Sequence, residues 1–100
     1  MFYANAQRVG DKIWPLITEY NPRVVALDCS SIIDIEYTAL KMLAEAEERL
    51  REKGIMLWLV AMNVQVYLMV KGSPLGEVLG EERMILNRQT AVEKYLSMYP

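Results

Sequence analysis

Two apolar runs without polar interruption frame the chain: Val24-Val25-Ala26-Leu27, and Ile55 through Ala61 (IMLWLVA). Short runs of this kind predict strands covered on both faces, here over residues 23–29 and 55–61, with Met56 and Trp58 in the core. Between them the period changes. Ala39, Leu40, Met42, Leu43, Ala46 and Leu50 recur at helical spacing, while Lys41, Glu45, Glu48, Arg49, Glu52 and Lys53 fall elsewhere. This predicts a helix over 37–53, supported by Glu45–Arg49 and Glu47–Arg51 pairs at i,i+4. Gly54 stops it where left-handed angles are wanted. Strand, helix and strand in that order predict a right-handed crossover, parallel strands and an α/β layer structure.

The flanking patterns are weaker. Phe2 and Tyr3 suit a strand over residues 1–4, and Asn5 suits a helix cap. Val9, Ile13, Leu16/Ile17 and Tyr20 then follow helical spacing, with Trp14 off the stripe, exposed or at an interface. Pro15 conflicts with a continuous helix, so a kink is predicted, or a second half that starts near Pro15. Asn21-Pro22 ends it. After the second strand, Asn63 caps a short helix carrying Val64, Tyr67, Leu68 and Lys71, which Gly72-Ser73-Pro74 breaks. Residues 75–80 form a turn or helical piece, and Met84-Ile85-Leu86 a weak strand. A terminal helix starts at Asn87 or Thr90, with Ala91, Val92, Tyr95 and Leu96 inward. No repeat or linker interrupts the 100 residues, so one domain over 1–100 is predicted.

Residues 54–70 approach the ~18 to 20 apolar residues of a membrane-spanning helix. Asn63 and Gln65 interrupt the stretch, and a strand followed by a capped helix accounts for it better. At 53% hydrophobic and 24% charged, the composition is that of a globular domain. A net charge of −2 supplies no field for nucleic acid, and Lys71, Arg83 and Arg88 form no stripe. No histidine is present, which removes the commonest acid/base group and metal ligand. One cysteine, Cys29, excludes an intramolecular disulfide; it reads as a buried strand-end thiol or a reactive one near a helix start. Met56, Met62 and Met69 read as adaptable packing rather than a metal site.

Candidate chemistry gathers between the first apolar run and the helix. Asp28, Asp34 and Glu36 bracket one loop, and paired carboxylates can exchange protons or hold Mg²⁺. No nucleophile–histidine pair and no Gly-rich phosphate loop accompanies them, so no catalysis and no cofactor is expected. In the structural alternative, Asp28 ends a strand and Glu36 faces the amides of a helix start. Ser30, Ser31, Tyr37 and Thr38 could accept phosphate, or could satisfy nearby backbone groups.

These elements resemble the STAS domain, the sulfate transporter and anti-sigma factor antagonist family. The resemblance rests on VVALD (24–28), SSIIDIE (30–36), YTALKML (37–43), IMLWLVA (55–61), VQVYLMV (64–70), SPLGEVLGEER (73–83) and AVEKYL (91–96) in order. The opening FYANA (2–6) resembles the SulP anion-transporter branch. The resemblance implies an α/β fold, a central sheet of three or four strands flanked by about four helices, with opening strand material lying before Met1. It implies a regulatory, protein-interaction domain at the cytosolic C-terminus of a membrane transporter, soluble in isolation and on the cytoplasmic face. Its partners would be the transmembrane domain or a regulatory protein. In the antagonist branch a serine after the acid at the helix start is the phosphorylation switch. Glu36 and Tyr37 take those two places here, leaving Thr38 as the nearest aliphatic hydroxyl. A stand-alone antagonist of an anti-sigma kinase is the alternative, and an enzyme built on the acids the third. Some members bind nucleotides, for which no residue here speaks. An unpaired sheet edge at the start predicts pairing between copies, a homodimer.

Overall fold

The computed structural model describes residues 1–8, 10 and 12–100. The elements run β1 (Phe2–Asn5), α1 (Ile13–Tyr20), β2 (Val24–Asp28), α2 (Tyr37–Glu52), β3 (Met56–Val60), α3 (Val64–Lys71), α4 (Pro74–Leu79), β4 (Met84–Ile85) and α5 (Arg88–Met98). Short 3-10 turns, Ala6–Arg8 and Glu81–Arg83, follow β1 and α4.

The four strands pair in parallel in the order β1-β2-β3-β4. A sequential parallel sheet advances in one direction. Right-handed crossovers therefore place every connecting helix on the same face. That face holds Val25, Leu27, Leu57 and Leu59 against Ile13 and Ile17 of α1, Leu40, Leu43 and Leu50 of α2, Val66 and Val70 of α3, and Leu75 and Leu79 of α4. Only α5, which follows the last strand, is free to cross over. It covers Val24, Ala26, Trp58, Val60 and Ile85 with Ala91, Tyr95 and Tyr99. Trp58 is fully buried, and the Lys94 ammonium lies 5.2 Å from its ring centroid. The 54–70 stretch divides into β3 and α3, and no helix among the described residues is long and apolar enough to cross a membrane.

The strands, the crossover and the layer structure follow the predicted pattern. Helix faces depart from it in several places. Of the two readings of Pro15, the start near it holds rather than the kink: α1 begins at Ile13 and Pro15 is its third residue. First-turn amides have no partner within a helix, so a missing one costs little there. Asn5 caps the 3-10 turn, its Oδ1 accepting the Gln7 amide at 2.9 Å. Val9, placed on the α1 stripe, lies outside the described residues. Leu16 and Tyr20 are exposed, and Trp14 is half-buried with the Arg49 guanidinium 4.0 Å from its ring centroid. Arg49 is thus occupied by an aromatic face rather than by Glu45.

On α3 the buried pair is Val66 and Val70, while Val64 and Leu68 face solvent. Both pairs are spaced i,i+4, so periodicity alone does not choose between them. The turn out of β3, with Ala61 at φ 61°, sets the rotation at which the helix meets the sheet. Met42, Val92, Leu96 and Leu86 are likewise exposed. Residues 75–79 belong to a true helix, with Ser73 capping it, Pro74 at its first position and Gly80 ending it.

Glu47 makes the expected pair with Arg51 and a second one with Arg83. It is buried at 2% exposure, with Arg51 at 3.5 Å and Arg83 at 3.8 Å. Arg83 also donates to the carbonyls of Val78 and Leu79. This ion cluster ties α2 to the end of α4, and the Glu47–Arg51 spacing is half of it.

Gly76 permits the closest backbone approach in the helical layer. A Cβ there would stand 2.2 Å from the Val70 carbonyl oxygen and 2.7 Å from Lys71 Cα. Gly76→Ala is expected to destabilise the domain by about 1 to 3 kcal/mol through overpacking, read as a lower urea midpoint at unchanged slope.

Candidate functional site

Because every strand is parallel, all four end on one side of the molecule, where parallel α/β sheets present their crevices. The loop from β2 to α2 occupies this side. Side chains alternate along β2. Val24, Ala26 and Asp28 point toward α5, and Val25, Leu27 and Cys29 toward the four-helix face.

Asp28 is half-buried and fully engaged. Its Oδ2 accepts the Tyr3 hydroxyl at 2.8 Å, and its Oδ1 accepts the Ser30 amide at 2.8 Å. Hydrogen bonding from Ser30, with smaller contributions from Tyr3 and the charge of Arg88, holds its carboxyl below the usual aspartate range despite partial burial. The Tyr3 hydroxyl moves the other way, pushed up to about 12 by burial and the Asp28 carboxylate. The Arg88 guanidinium lies 4.8 Å from the Tyr3 ring centroid. Cys29 is buried, and burial pushes its thiol up to about 12, which removes the reactive-thiol reading.

Beyond Cys29 the loop is held by side-chain amides. Asn63 accepts the Val66 amide at 2.8 Å as the cap of α3. Its amide nitrogen donates to the carbonyls of Ile32 at 3.1 Å and Ile33 at 3.0 Å. Gln7 donates to the Ser31 carbonyl at 3.3 Å, and the Ser31 hydroxyl reaches Asn5 Oδ1 at 3.4 Å. Ile35 is buried at 3% exposure and anchors the loop in the core. Glu36 takes the N-cap position of α2, but its side chain makes no capping bond.

The seven predicted site residues thus divide. Asp28 faces the α5 side and serves the loop's internal bonding, with Ser30 and Ser31 beside it. Asp34, Glu36, Tyr37 and Thr38 are exposed. Asp34 lines a groove of about 450 Å³ between the loop and α2, walled by Ile32, Ile33, Ala39, Met42 and Leu43. The acids do not converge, and among the described residues no three potential ligands form a metal site. Residues outside the predicted set, Ile33 at 82% exposure and Met42 at 53%, complete the surface with Tyr37 at 79%. Asn63 was legible as a cap. Its grip on the loop was not, since nothing local shows which carbonyls need a donor. What the arrangement offers chemically is a preformed apolar and hydroxyl-bearing surface rather than a proton relay.

The Tyr3–Asp28 pair predicts a pH signature. Asp28 has a lowered pKa when folded, so its stabilising effect is present above its unfolded value, about 3.9, and lost as pH falls through the folded one. Tyr3 has a raised pKa, so its effect is full below about pH 10 and lost as pH rises through about 12. Tyr3→Phe is expected to cost about 1 kcal/mol at pH 7 and to flatten both limbs of a stability profile measured by urea unfolding.

The sequence model of the STAS domain matches residues 1–91, spanning every strand and the first turn of α5. No curated protein matches the chain. Domains of this family generally act in regulation or protein interaction. With a parallel α/β sheet, helices in the family's order and a match over nearly its whole length, this chain belongs to the STAS domain family.

Proposed function

We propose that this STAS domain is the regulatory, protein-interaction module of a SulP-type anion transporter. It lies on the cytoplasmic face of the membrane, and residues 28–40 form its docking surface. The observation that carries this reading is the use made of the opening segment FYANA. It supplies β1 and starts the 3-10 turn, and from there Tyr3, Asn5 and neighbouring Gln7 bond directly to Asp28 and Ser31. The segment whose sequence resembles the transporter branch is therefore a structural support of the loop itself.

The domain carries out no catalysis in this reading. Its contribution is a rigid face that the transmembrane domain or a soluble regulator engages. A second copy of the chain is a further partner, since β1 sits at a sheet edge and carries neither charge nor proline. The alternative, a stand-alone antagonist controlled by phosphorylation, draws support from Thr38, exposed in the first turn of α2 where a phosphate would meet free backbone amides.

The parent gene separates the two. A transporter domain requires a reading frame that continues upstream through roughly ten or more segments of ~20 apolar residues each. A frame that opens at Met1, beside genes for a sigma factor and its kinase, would contradict the transporter reading.

A further inference from the structure

The groove between the loop and α2 has a composition that specifies what it can hold. Its walls are mainly apolar, with Gln7 and Ser31 the uncharged polar residues among them, and its lining residues Ile33 and Met42 are exposed. Among the described residues that line it, Asp34 is the only charged one, and no lysine or arginine lies within 4.0 Å of the Asp34 carboxylate to pair it. Glu36, two residues on, is also exposed and without an ion pair. Lys41 on α2 and Arg8, which follows the groove-lining Gln7, are exposed but do not line the groove.

Resting on the assignment of residues 28–40 as a docking surface, we infer that this groove receives an amphipathic helix of a partner protein, one with a lysine or arginine flanking its apolar face. A helix presents side chains at i, i+3 and i+4 about 5 to 6 Å apart, which suits a short apolar trough. Strand addition does not suit this place. The groove lies between a loop and a helix, and the loop carbonyls of Ile32 and Ile33 are already bonded to Asn63. A bilayer does not suit it either, because Asp34 and Glu36 would face the negative charge of anionic lipids. The carboxylates supply orientation and encounter rate, and the trough supplies the burial that holds the helix.

The test uses the 100-residue chain and two synthetic peptides of about 18 residues, long enough to hold a helix when bound. Both carry leucines on one face. One has lysines flanking them and the other glutamates. Binding is followed by fluorescence anisotropy, and the site is mapped by amide chemical shifts. The lysine peptide is expected to bind about tenfold or more tightly than the glutamate peptide, more weakly as salt rises, with shifts centred on Ile33, Asp34 and Met42. Asp34→Lys with Glu36→Lys should invert the preference while circular dichroism stays native. Ile33→Asp, at an exposed position, should weaken both peptides without unfolding the domain. Equal binding of the two peptides, no binding of either, shifts centred elsewhere, or capture of the chain by phosphatidylserine vesicles through this face would overturn the inference. The transporter assignment rests on the parent gene and can fail or stand independently of these outcomes.

Discussion

The handedness of the crossover governs this structure. Four parallel strands laid down in sequence order, each return made right-handed, send α1, α2, α3 and α4 to one face of the sheet. The other face would be bare without α5, the helix that follows the last strand. Its Ala91 joins Trp58, Val24, Ala26 and Val60 in a second core layer. Both layers are nearly free of polar atoms, and the exception, Glu47, is enclosed by Arg51 and Arg83. The same constraint brings all strand ends to one side, so the loop after β2 has the start of α3 and the turn after β1 as neighbours.

That neighbourhood explains how an eight-residue connection with two serines and two unpaired acids is kept in one shape. Backbone groups of the loop find partners on other elements: Asn63 from the start of α3, and Gln7 from the turn after β1. The Cys29 amide continues the sheet ladder to the Val60 carbonyl at 2.8 Å. Ile35 fills a core position. What remains exposed is Ile33, Asp34, Glu36, Tyr37 and Thr38.

The strands and the α2 crossover were legible in the sequence because their signals are long and unambiguous. A fully apolar run bounded by turns suits a covered strand, and α2 has one dominant stripe. Shorter helices were not. Over eight residues α3 carries two apolar pairs, Val64 with Leu68 and Val66 with Val70, and only the tertiary approach chooses between them. Pro15 left two readings, a kink or a helix that starts near it, because its cost depends on helix register, and the second is the one the structure has. The Glu47–Arg51 pair was legible from its i,i+4 spacing, but its burial under Arg83 was not, because such a pair looks the same on a surface. Within the candidate site, the sequence reading grouped residues that the fold divides. Asp28, Asp34 and Glu36 are close in sequence, yet strand alternation turns Asp28 toward α5 while Asp34 lines the α2 groove. Asn63 lies some thirty residues from the carbonyls it holds, a separation no local pattern bridges.

The order of the loop depends on Asn63. Amide hydrogen exchange in two variants isolates that role. Asn63→Asp keeps an oxygen for the Val66 amide but has no donor for the Ile32 and Ile33 carbonyls. Asn63→Ala removes both. The account predicts that the Ile32 amide, bonded to the Cys29 carbonyl at 3.1 Å, loses protection by about tenfold or more in both variants, whereas Val66 loses it only in Asn63→Ala. Unchanged protection at Ile32 in Asn63→Asp would contradict it.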